Sequence, residues 1–243
     1  MRHNRYDGPA PKLTNLAKKF KTDKWGGHRY TPHYERHFAP WRYRQINLLE
    51  IGIGGYAREG EGGASLRMWK RYFPHANIFG LDIEDKSFVD RRRIKAFQGS
   101  QVDHEVLAGV VREAGPLHII IDDGSHRPEH IIESFDYLFP LLAADGIYVI
   151  EDTQTSYWPE WGGSSDLRAT GTTMDLVKNL VDGLNYKEFT NDPYEPSYTD
   201  LHVTAVSCYH NLVFIQKGRN KEGTQKKRIL KDRYAAADEA PQQ

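Results

Sequence analysis

Two pairs of adjacent acidic residues are the part of this sequence best suited to chemistry. Asp122 and Asp123 end one short apolar run rich in β-branched residues, and Glu151 and Asp152 end another. Runs of this kind are typical of buried parallel strands. In open α/β sheets, ligands bind outside the carboxyl ends of the strands. We therefore expect both acidic pairs at one functional edge of a sheet.

Carboxylates that converge at one edge repel one another unless a cation neutralises them. Mg²⁺ prefers oxygen ligands and usually keeps open positions for water or substrate. The pattern therefore indicates a divalent metal site, although acids at strand ends also cap helices and turns.

One histidine follows the first acidic pair closely. His126 is three residues beyond Asp123 and precedes a helix that is predicted to begin at Pro128. At the sheet edge its imidazole could take a proton from a bound hydroxyl group. The alternative is a histidine that packs or caps the helix.

A glycine-rich turn follows the first predicted strand, residues 47–51. Glu50 lies near the end of this strand, while Gly52 and Gly54 would let the backbone approach a nucleotide closely. The turn lacks the third glycine of the dinucleotide-binding fingerprint. Ser65 is predicted to cap the next helix, which would offer its amide groups to the ligand.

Further polar residues follow the next two predicted strands. Asp82 ends a strand over residues 77–81, where an acid can accept hydrogen bonds from both ribose hydroxyls. Ser100 and Gln101 follow a strand over residues 94–98 and could border an adenine ring, or form an ordinary polar turn. These residues extend the predicted cofactor site along the sheet edge.

The segment before the first strand combines a packing pattern with a glycine-rich stretch. Tyr30, Tyr34 and Phe38 recur every four residues, as the buried face of a helix does. Residues 22–30 contain too much glycine for packing alone and could fold over a ligand. We therefore assign residues 1–46 to an N-terminal arm with helices and a lid over the active site.

Aromatic side chains are concentrated after the second acidic pair. Tyr157, Trp158 and Trp161 lie in the loop before a helix predicted over residues 172–184. Exposed aromatic residues in such a loop suit an apolar acceptor, although local packing explains them equally well.

Composition limits the classes of partner. The 33 basic and 33 acidic residues balance, so no general attraction to nucleic acid or acidic membranes is expected. The single cysteine, Cys208, rules out an internal disulfide framework and fits a reducing compartment. The sequence shows neither a signal peptide nor an apolar run of about 18 residues. We therefore expect a cytoplasmic protein.

The order of elements predicts the fold class. Five predicted strands alternate with helices, and two more, residues 203–209 and 212–216, are joined by a two-residue turn. This order predicts an α/β fold with a mostly parallel seven-stranded sheet, helices on both faces and a C-terminal antiparallel hairpin. Residues 47–218 are the predicted catalytic core, and residues 219–243 a solvated tail.

This order of elements resembles the class I S-adenosylmethionine (SAM) methyltransferase fold, which is Rossmann-like. Several segments resemble, more specifically, the macrolide sugar O-methyltransferases of the mycinamicin and macrocin type. The segments are residues 21–24, 30–38, 50–55, 63–69, 122–126 and 148–152. The resemblance extends over residues 13–218, and catechol-type O-methyltransferases are similar in the arrangement of their acids and base.

The resemblance implies Mg²⁺-dependent methyl transfer from SAM to a sugar hydroxyl. By motif match, the metal ligands fall on Asp123, Glu151 and Asp152, and the catalytic base falls on His126. The residues predicted to bind the cofactor are Tyr30, Glu50, Gly52, Gly54, Ser65, Asp82, Ser100, Gln101 and Asp122. Those predicted to bind the acceptor are Tyr157, Trp158 and Trp161.

The predicted function is therefore O-methylation of a sugar on a macrolide-like natural product by a homo-oligomeric enzyme. Four alternatives are open. The acceptor could be a nucleotide-activated sugar, for which Arg127 and Arg168 could supply charge, or a polyketide hydroxyl without a sugar. The chain could also be a SAM-fold binding protein without turnover, or a metal-dependent hydrolase on a similar sheet.

Overall fold

A seven-stranded sheet organises the computed structural model, which describes residues 12–55, 60–190 and 193–224. The strands are β1 Asn47–Ile51, β2 Asn77–Asp82, β3 Ile94–Gln98, β4 Leu117–Asp122, β5 Leu142–Glu151, β6 Val203–Tyr209 and β7 Leu212–Lys217. The α-helices are α1 Lys12–Phe20, α2 Thr31–Phe38, α3 Ala64–Tyr72, α4 His104–Ala114, α5 Pro128–Leu141, α6 Thr173–Gly183 and α7 Tyr198–His202. The predicted arm before residue 12, part of the turn (residues 56–59) and the tail from residue 225 lie outside the described residues.

The strand order across the sheet is β3-β2-β1-β4-β5-β7-β6. Strands β1 to β5 are parallel, and β7 runs antiparallel between β5 and β6. The predicted fold class is thereby confirmed. The chain moves outward from β1 to β3 and then returns to place β4 on the other side of β1. The crevice between β1 and β4 is therefore the switch point at which an open α/β sheet binds ligands.

Both faces of the sheet are buried, which explains the nearly continuous apolar runs of the central strands. Leu48 and Ile119 belong to the core that packs under α1, α2 and α3. Their neighbours Leu49 and Ile120 belong to a second core under α4, α5 and α6. Since successive side chains of a strand point to opposite faces, these cores lie on opposite sides of the sheet.

Helix α2 buries the aromatic face that its sequence predicts. Tyr34 and Phe38 are fully buried, and Tyr30, just before the helix, is nearly so. This face fixes the segment before β1 against the sheet. No helix within residues 12–55, 60–190 and 193–224 is long and apolar enough to cross a membrane.

The start of α3 differs from the prediction that Ser65 caps it. The residue before the helix is Gly63, whose φ of 64° is left-handed, and no side chain of the described residues caps this end. The Gly63 amide instead donates to the Ile53 carbonyl at 2.7 Å. Because glycine adopts this conformation without steric cost, the helix begins at Ala64 and Ser65 lies within its first turn.

Candidate functional site

Three carboxylates from the ends of three strands surround one ammonium group. The Nζ atom of Lys24 lies 3.0 Å from Glu50 Oε1, 2.9 Å from Asp123 Oδ2 and 2.6 Å from Glu151 Oε1. The Tyr34 hydroxyl donates a further hydrogen bond to Glu151. We call Lys24, Glu50, Asp123 and Glu151 the closed cluster.

The charge of Lys24 is held by its surroundings. Burial alone would lower the pKa of this lysine, but the negative charges of Asp123, Glu151 and Glu50 outweigh burial and raise it well above its ordinary value. Lys24 is therefore an ammonium ion at neutral pH, and it compensates the negative charge of the three acids.

Asp123 also belongs to a second group, which we call the open cluster, with His126 and Asp152. His126 Nε2 lies 4.0 Å from Asp123 Oδ1 and 3.8 Å from Asp152 Oδ2, and the three side chains are 15 to 23% exposed. The other ring nitrogen, Nδ1, is buried and has no hydrogen-bond partner in the described parts of the chain. Nε2 is therefore the imidazole atom that faces the acids.

The backbone of the open cluster is held in an uncommon conformation. His126 has a φ of 57° and Asp152 a φ of 53°. Side chains other than glycine rarely adopt this left-handed region, and such residues are concentrated at functional sites. The turns after β4 and β5 thus point these two side chains toward each other at a cost in backbone energy.

The N-terminal segment closes the open cluster from one side. The Tyr30 hydroxyl donates to Asp152 Oδ1 at 2.6 Å and lies 3.2 Å from the Asn211 carbonyl oxygen. His28 stacks on the Tyr30 ring and places Nε2 3.6 Å from Asp152 Oδ1. Burial and the hydrogen bond to Asp152 raise the pKa of Tyr30 far above its ordinary value, so this hydroxyl keeps its proton.

The two clusters differ in their fitness for a metal ion. Each offers three ligand atoms that lie within 4.8 Å of one another. The open cluster presents two carboxylates to a partly exposed space, a donor set that fits a hard divalent cation. In the closed cluster Lys24 already supplies the positive charge. Of the three predicted ligands, Asp123 and Asp152 share the open cluster, and Glu151 is connected to it through Asp123.

A cavity of about 490 Å³ lies at the switch point between β1 and β4. Predicted cofactor residues that line it are Gly52, Asp82, Ser100 and Gln101. Asp82 is buried, and its two oxygens accept the Ile53 and Glu84 amides, each at 3.0 Å. A carboxylate at the end of this strand is the group that the sequence assigns to the ribose hydroxyls.

A second cavity, of about 700 Å³, adjoins the first at Gly52 and is lined by Gly54, Ser65 and Asp123. A Cβ atom on Gly52 would lie 2.0 Å from the Asp123 carbonyl oxygen, so the close approach of β1 to the end of β4 requires glycine. Gly54 has a φ of 66°, and within the described parts of the chain no neighbouring atom lies within 4 Å of a Cβ position. Its requirement for glycine is conformational only.

Asp122, the other member of the first acidic pair, is turned away from both cavities. Its buried carboxylate accepts hydrogen bonds from Ser134 Oγ at 2.7 Å, from the Tyr148 hydroxyl at 3.2 Å and from Gln101 Nε2 at 3.2 Å. The Oε1 atom of Gln101 in turn accepts the Ser125 amide at 2.8 Å. This network stabilises the turn that carries Asp123 and His126.

The three predicted acceptor residues fall into two places. Tyr157 and Trp158 line a cavity of about 610 Å³, whereas Trp161 lines the cavity that contains Asp82. The remaining walls of the Tyr157 cavity are Thr153, Gln154, Met174, Tyr209, His210 and Asn211. Arg127 and Arg168 line neither cavity, and Arg127 is paired with Glu129 at 2.8 Å.

Sequence reasoning missed Lys24 and His28 as members of the site. Lys24 lies within residues 21–24, which resemble known enzymes, and within residues 22–30, the predicted lid, but the sequence assigned this side chain no role. A single lysine in a polar stretch carries no sign that it will be buried among acids. Its partners Asp123 and Glu151 are 99 and 127 residues away.

The sequence is similar to two curated sugar O-methyltransferases. It is 47% identical over 216 residues to the mycinamicin VI 2''-O-methyltransferase of Micromonospora griseorubida, which is 88% of this chain and 54% of that relative. It is 48% identical over 216 residues to the demethylmacrocin O-methyltransferase of Streptomyces fradiae, which is 88% of this chain and 55% of that relative. The chain thus spans about half the length of the curated relatives it matches.

A solved structure supports the same relationship. The MycE methyltransferase of the mycinamycin biosynthetic pathway, in complex with Mg, SAH and mycinamycin VI, matches with a TM-score of 0.83 at 47% identity. The match covers 88% of this chain and 55% of that one. No protein-family model matches the sequence.

Proposed function

We propose that this chain, a close homologue of macrolide sugar O-methyltransferases, transfers a methyl group from SAM. The acceptor is a sugar hydroxyl of a macrolide-like natural product. The observation that carries this proposal is the meeting of Asp123, His126 and Asp152 beside the cavity that contains Asp82. A proton acceptor, a pair of metal-binding acids and a nucleoside-sized cavity are the parts that such a reaction needs.

Different residues of the site bind the cofactor and the metal ion. Asp82 binds the ribose, and the turn of Gly52 and Gly54 binds the rest of the cofactor. Asp123, Glu151 and Asp152 would hold Mg²⁺, and Glu151 would exchange its ion pair with Lys24 for the metal ion. The bound ion supplies Lewis acidity that makes a sugar hydroxyl easier to deprotonate.

His126 accepts the proton of that hydroxyl at Nε2, the ring nitrogen that faces the acids. The neighbouring carboxylates of Asp123 and Asp152 stabilise the imidazolium that forms. Because Tyr30 keeps its own proton, it serves as a hydrogen-bond donor that orients Asp152 rather than as a second base. Fixing acceptor and methyl donor side by side lowers the barrier further.

Residues 22–30 act as a lid in this proposal, and the loop after β5 receives the acceptor. The contacts of Lys24 and Tyr30 with the acids support the first assignment. The exposed rings of Tyr157 and Trp158, beside a cavity of about 610 Å³, support the second. An apolar aglycone suits these rings better than a nucleotide diphosphate, which would need arginine side chains at the cavity.

The test is methyl transfer measured by mass spectrometry. The protein is incubated with SAM and Mg²⁺ together with macrolide glycosides, the matching aglycones or nucleotide-activated sugars. We expect a methylated product from glycosides only, with the added mass on the sugar fragment. Turnover of the aglycone or the nucleotide sugar alone would redirect the acceptor assignment, and absence of turnover with binding of SAH would favour a binding protein.

We further propose that the protein is cytoplasmic and homo-oligomeric. Its single cysteine supports a reducing compartment. Light scattering after size-exclusion chromatography measures the oligomeric state directly, and a monomeric mass would contradict the proposal.

A further inference from the structure

Two large apolar side chains border the cavity that contains Asp82 although they are widely exposed. Ile83 is 63% exposed and Trp161 is 41% exposed, and both line this cavity. Exposed apolar side chains that gather at a cavity indicate surface that a ligand covers. The ligand should therefore have an apolar face as well as the polar groups that Asp82 recognises.

Trp161 comes from a different segment of the chain than the other residues that line this cavity. The rest of the wall comes from the ends of β1 to β4 and from residues close to them, whereas Trp161 belongs to the loop after β5. The loop is tightly built: the Trp161 amide donates to the Trp158 carbonyl and the Gly162 amide to the Pro159 carbonyl, each at 3.0 Å. A Cβ atom on Gly163 would lie 2.1 Å from a backbone oxygen of the preceding turn. The backbone position of Trp161 is thus fixed by the loop.

The polar groups of the cavity define the rest of the ligand. The Asp82 carboxylate suits a vicinal diol, and Ser100 on the neighbouring loop suits the edge of a heterocycle. A diol joined to a planar heterocycle is a nucleoside, and the face of such a base is what an indole ring stacks on.

We infer that Trp161 covers the adenine ring of SAM and is a cofactor-binding residue. The inference rests on the proposed function, since it takes SAM as the ligand. The inference gives Trp161 a different role from Trp158, which precedes it by three residues and is equally exposed at 41%. Trp158 lines the cavity that contains Tyr157. One short, rigid loop thus forms a wall of both the cofactor cavity and the acceptor cavity.

Tryptophan fluorescence during titration with SAH tests the inference, because the two tryptophans form a matched pair. The other three, Trp25, Trp41 and Trp69, are partly or fully buried and line neither cavity. We expect SAH to change the fluorescence of the wild type. Trp161→Phe should lose most of this change, and Trp158→Phe should keep it.

Calorimetry with SAH measures the affinity of the same variants. Base stacking on an aromatic side chain corresponds to roughly 5- to 150-fold in affinity, so Trp161→Ala should weaken SAH binding about tenfold. Trp161→Phe keeps a ring and should stay within about threefold of the wild type. The Trp161→Phe titration keeps the test valid if the alanine variant does not fold, which circular dichroism reveals.

The outcomes separate the inference from the function it rests on. A wild type that gives no heat with SAH would overturn the proposed function itself. A wild type that binds SAH, with a fluorescence change retained in Trp161→Phe or lost in Trp158→Phe, would overturn only the assignment of Trp161.

Discussion

Asp123 belongs to both the closed and the open cluster, and these two regions differ in what compensates their negative charge. In the closed cluster, Glu50 and Glu151 are buried and face the ammonium group of Lys24. In the open cluster, Asp152 is partly exposed and faces His126 and Tyr30. The same kind of residue, at the same sheet edge, therefore has a different task according to its neighbours.

This difference explains how a sheet edge that is rich in acidic residues remains stable before any ligand binds. Buried carboxylates without a counter-ion are very costly, so the protein carries an internal cation where the site is closed. At the partly exposed side, water screens the remaining charge, which leaves Asp123 and Asp152 able to bind a metal ion. Single substitutions can therefore disrupt one cluster while leaving the other in place.

The largest effect is expected from the open cluster. Asp152→Ala should remove Mg²⁺ binding and lower kcat by about 10⁴-fold, because a lost ligand forfeits several kcal/mol of charge stabilisation. Calorimetry with Mg²⁺ and the rate of methyl transfer check this, and SAH affinity serves as the control that should not change.

Chelation with EDTA should abolish the wild-type activity as well; full turnover in EDTA would remove the metal from the proposal.

His126→Ala should lower kcat by about 10²–10⁴-fold while leaving SAH and Mg²⁺ binding intact, because it removes only the proton acceptor. His28→Ala is the matched control, since His28 also lies near Asp152 but on the opposite, N-terminal side. A larger loss in His28→Ala than in His126→Ala would transfer the role of base to His28.

Lys24→Met tests the closed cluster through stability. Removing the ammonium leaves buried acids uncompensated, so unfolding by urea should show a loss of about 3–5 kcal/mol at neutral pH. Tyr34→Phe, which removes one hydrogen bond to Glu151 but keeps the ion pairs, should cost only about 1–2 kcal/mol. Equal losses in the two variants would contradict the role of Lys24 as the counter-ion.

The direction of the pKa shift of Lys24 also predicts the pH range of its effect. Because the folded protein raises the pKa of this lysine, its contribution to the free energy of unfolding is fully present below the ordinary lysine pKa of about 10.4. The contribution is lost only as the pH rises through the higher folded-state value. Between about pH 6 and 9, titration of Lys24 should therefore not change the free energy of unfolding of the wild type.

Asp82 is an acid outside both clusters, and its replacement should have the smallest effect. Asp82→Ala should weaken SAH binding by somewhat more than tenfold, since hydrogen bonds to a charged acceptor contribute about 1.5–3 kcal/mol. Mg²⁺ affinity, which depends on the open cluster, should not change. Unchanged SAH affinity would show that the ribose is bound elsewhere.

Much of the fold was determined by local patterns in the sequence. The bounds of β1 and β3 agree with their apolar runs, and the hairpin of β6 and β7 surrounds its two-residue turn. Buried strands, turns and helix starts are coded by residues within a few positions of one another. The sequence alone also indicated that both acidic pairs lie at one sheet edge, because parallel strands end on the same side.

Only the tertiary structure decided which side chains share a site. Residues that are close in sequence have different surroundings. Asp122 belongs to a buried network while Asp123 joins both clusters, and Trp158 and Trp161 line different cavities. Lys24 meets acids that are 99 and 127 residues away. Such contacts depend on how distant segments pack and on the backbone angles of single turns, and neither is coded by the spacing of residues along the chain.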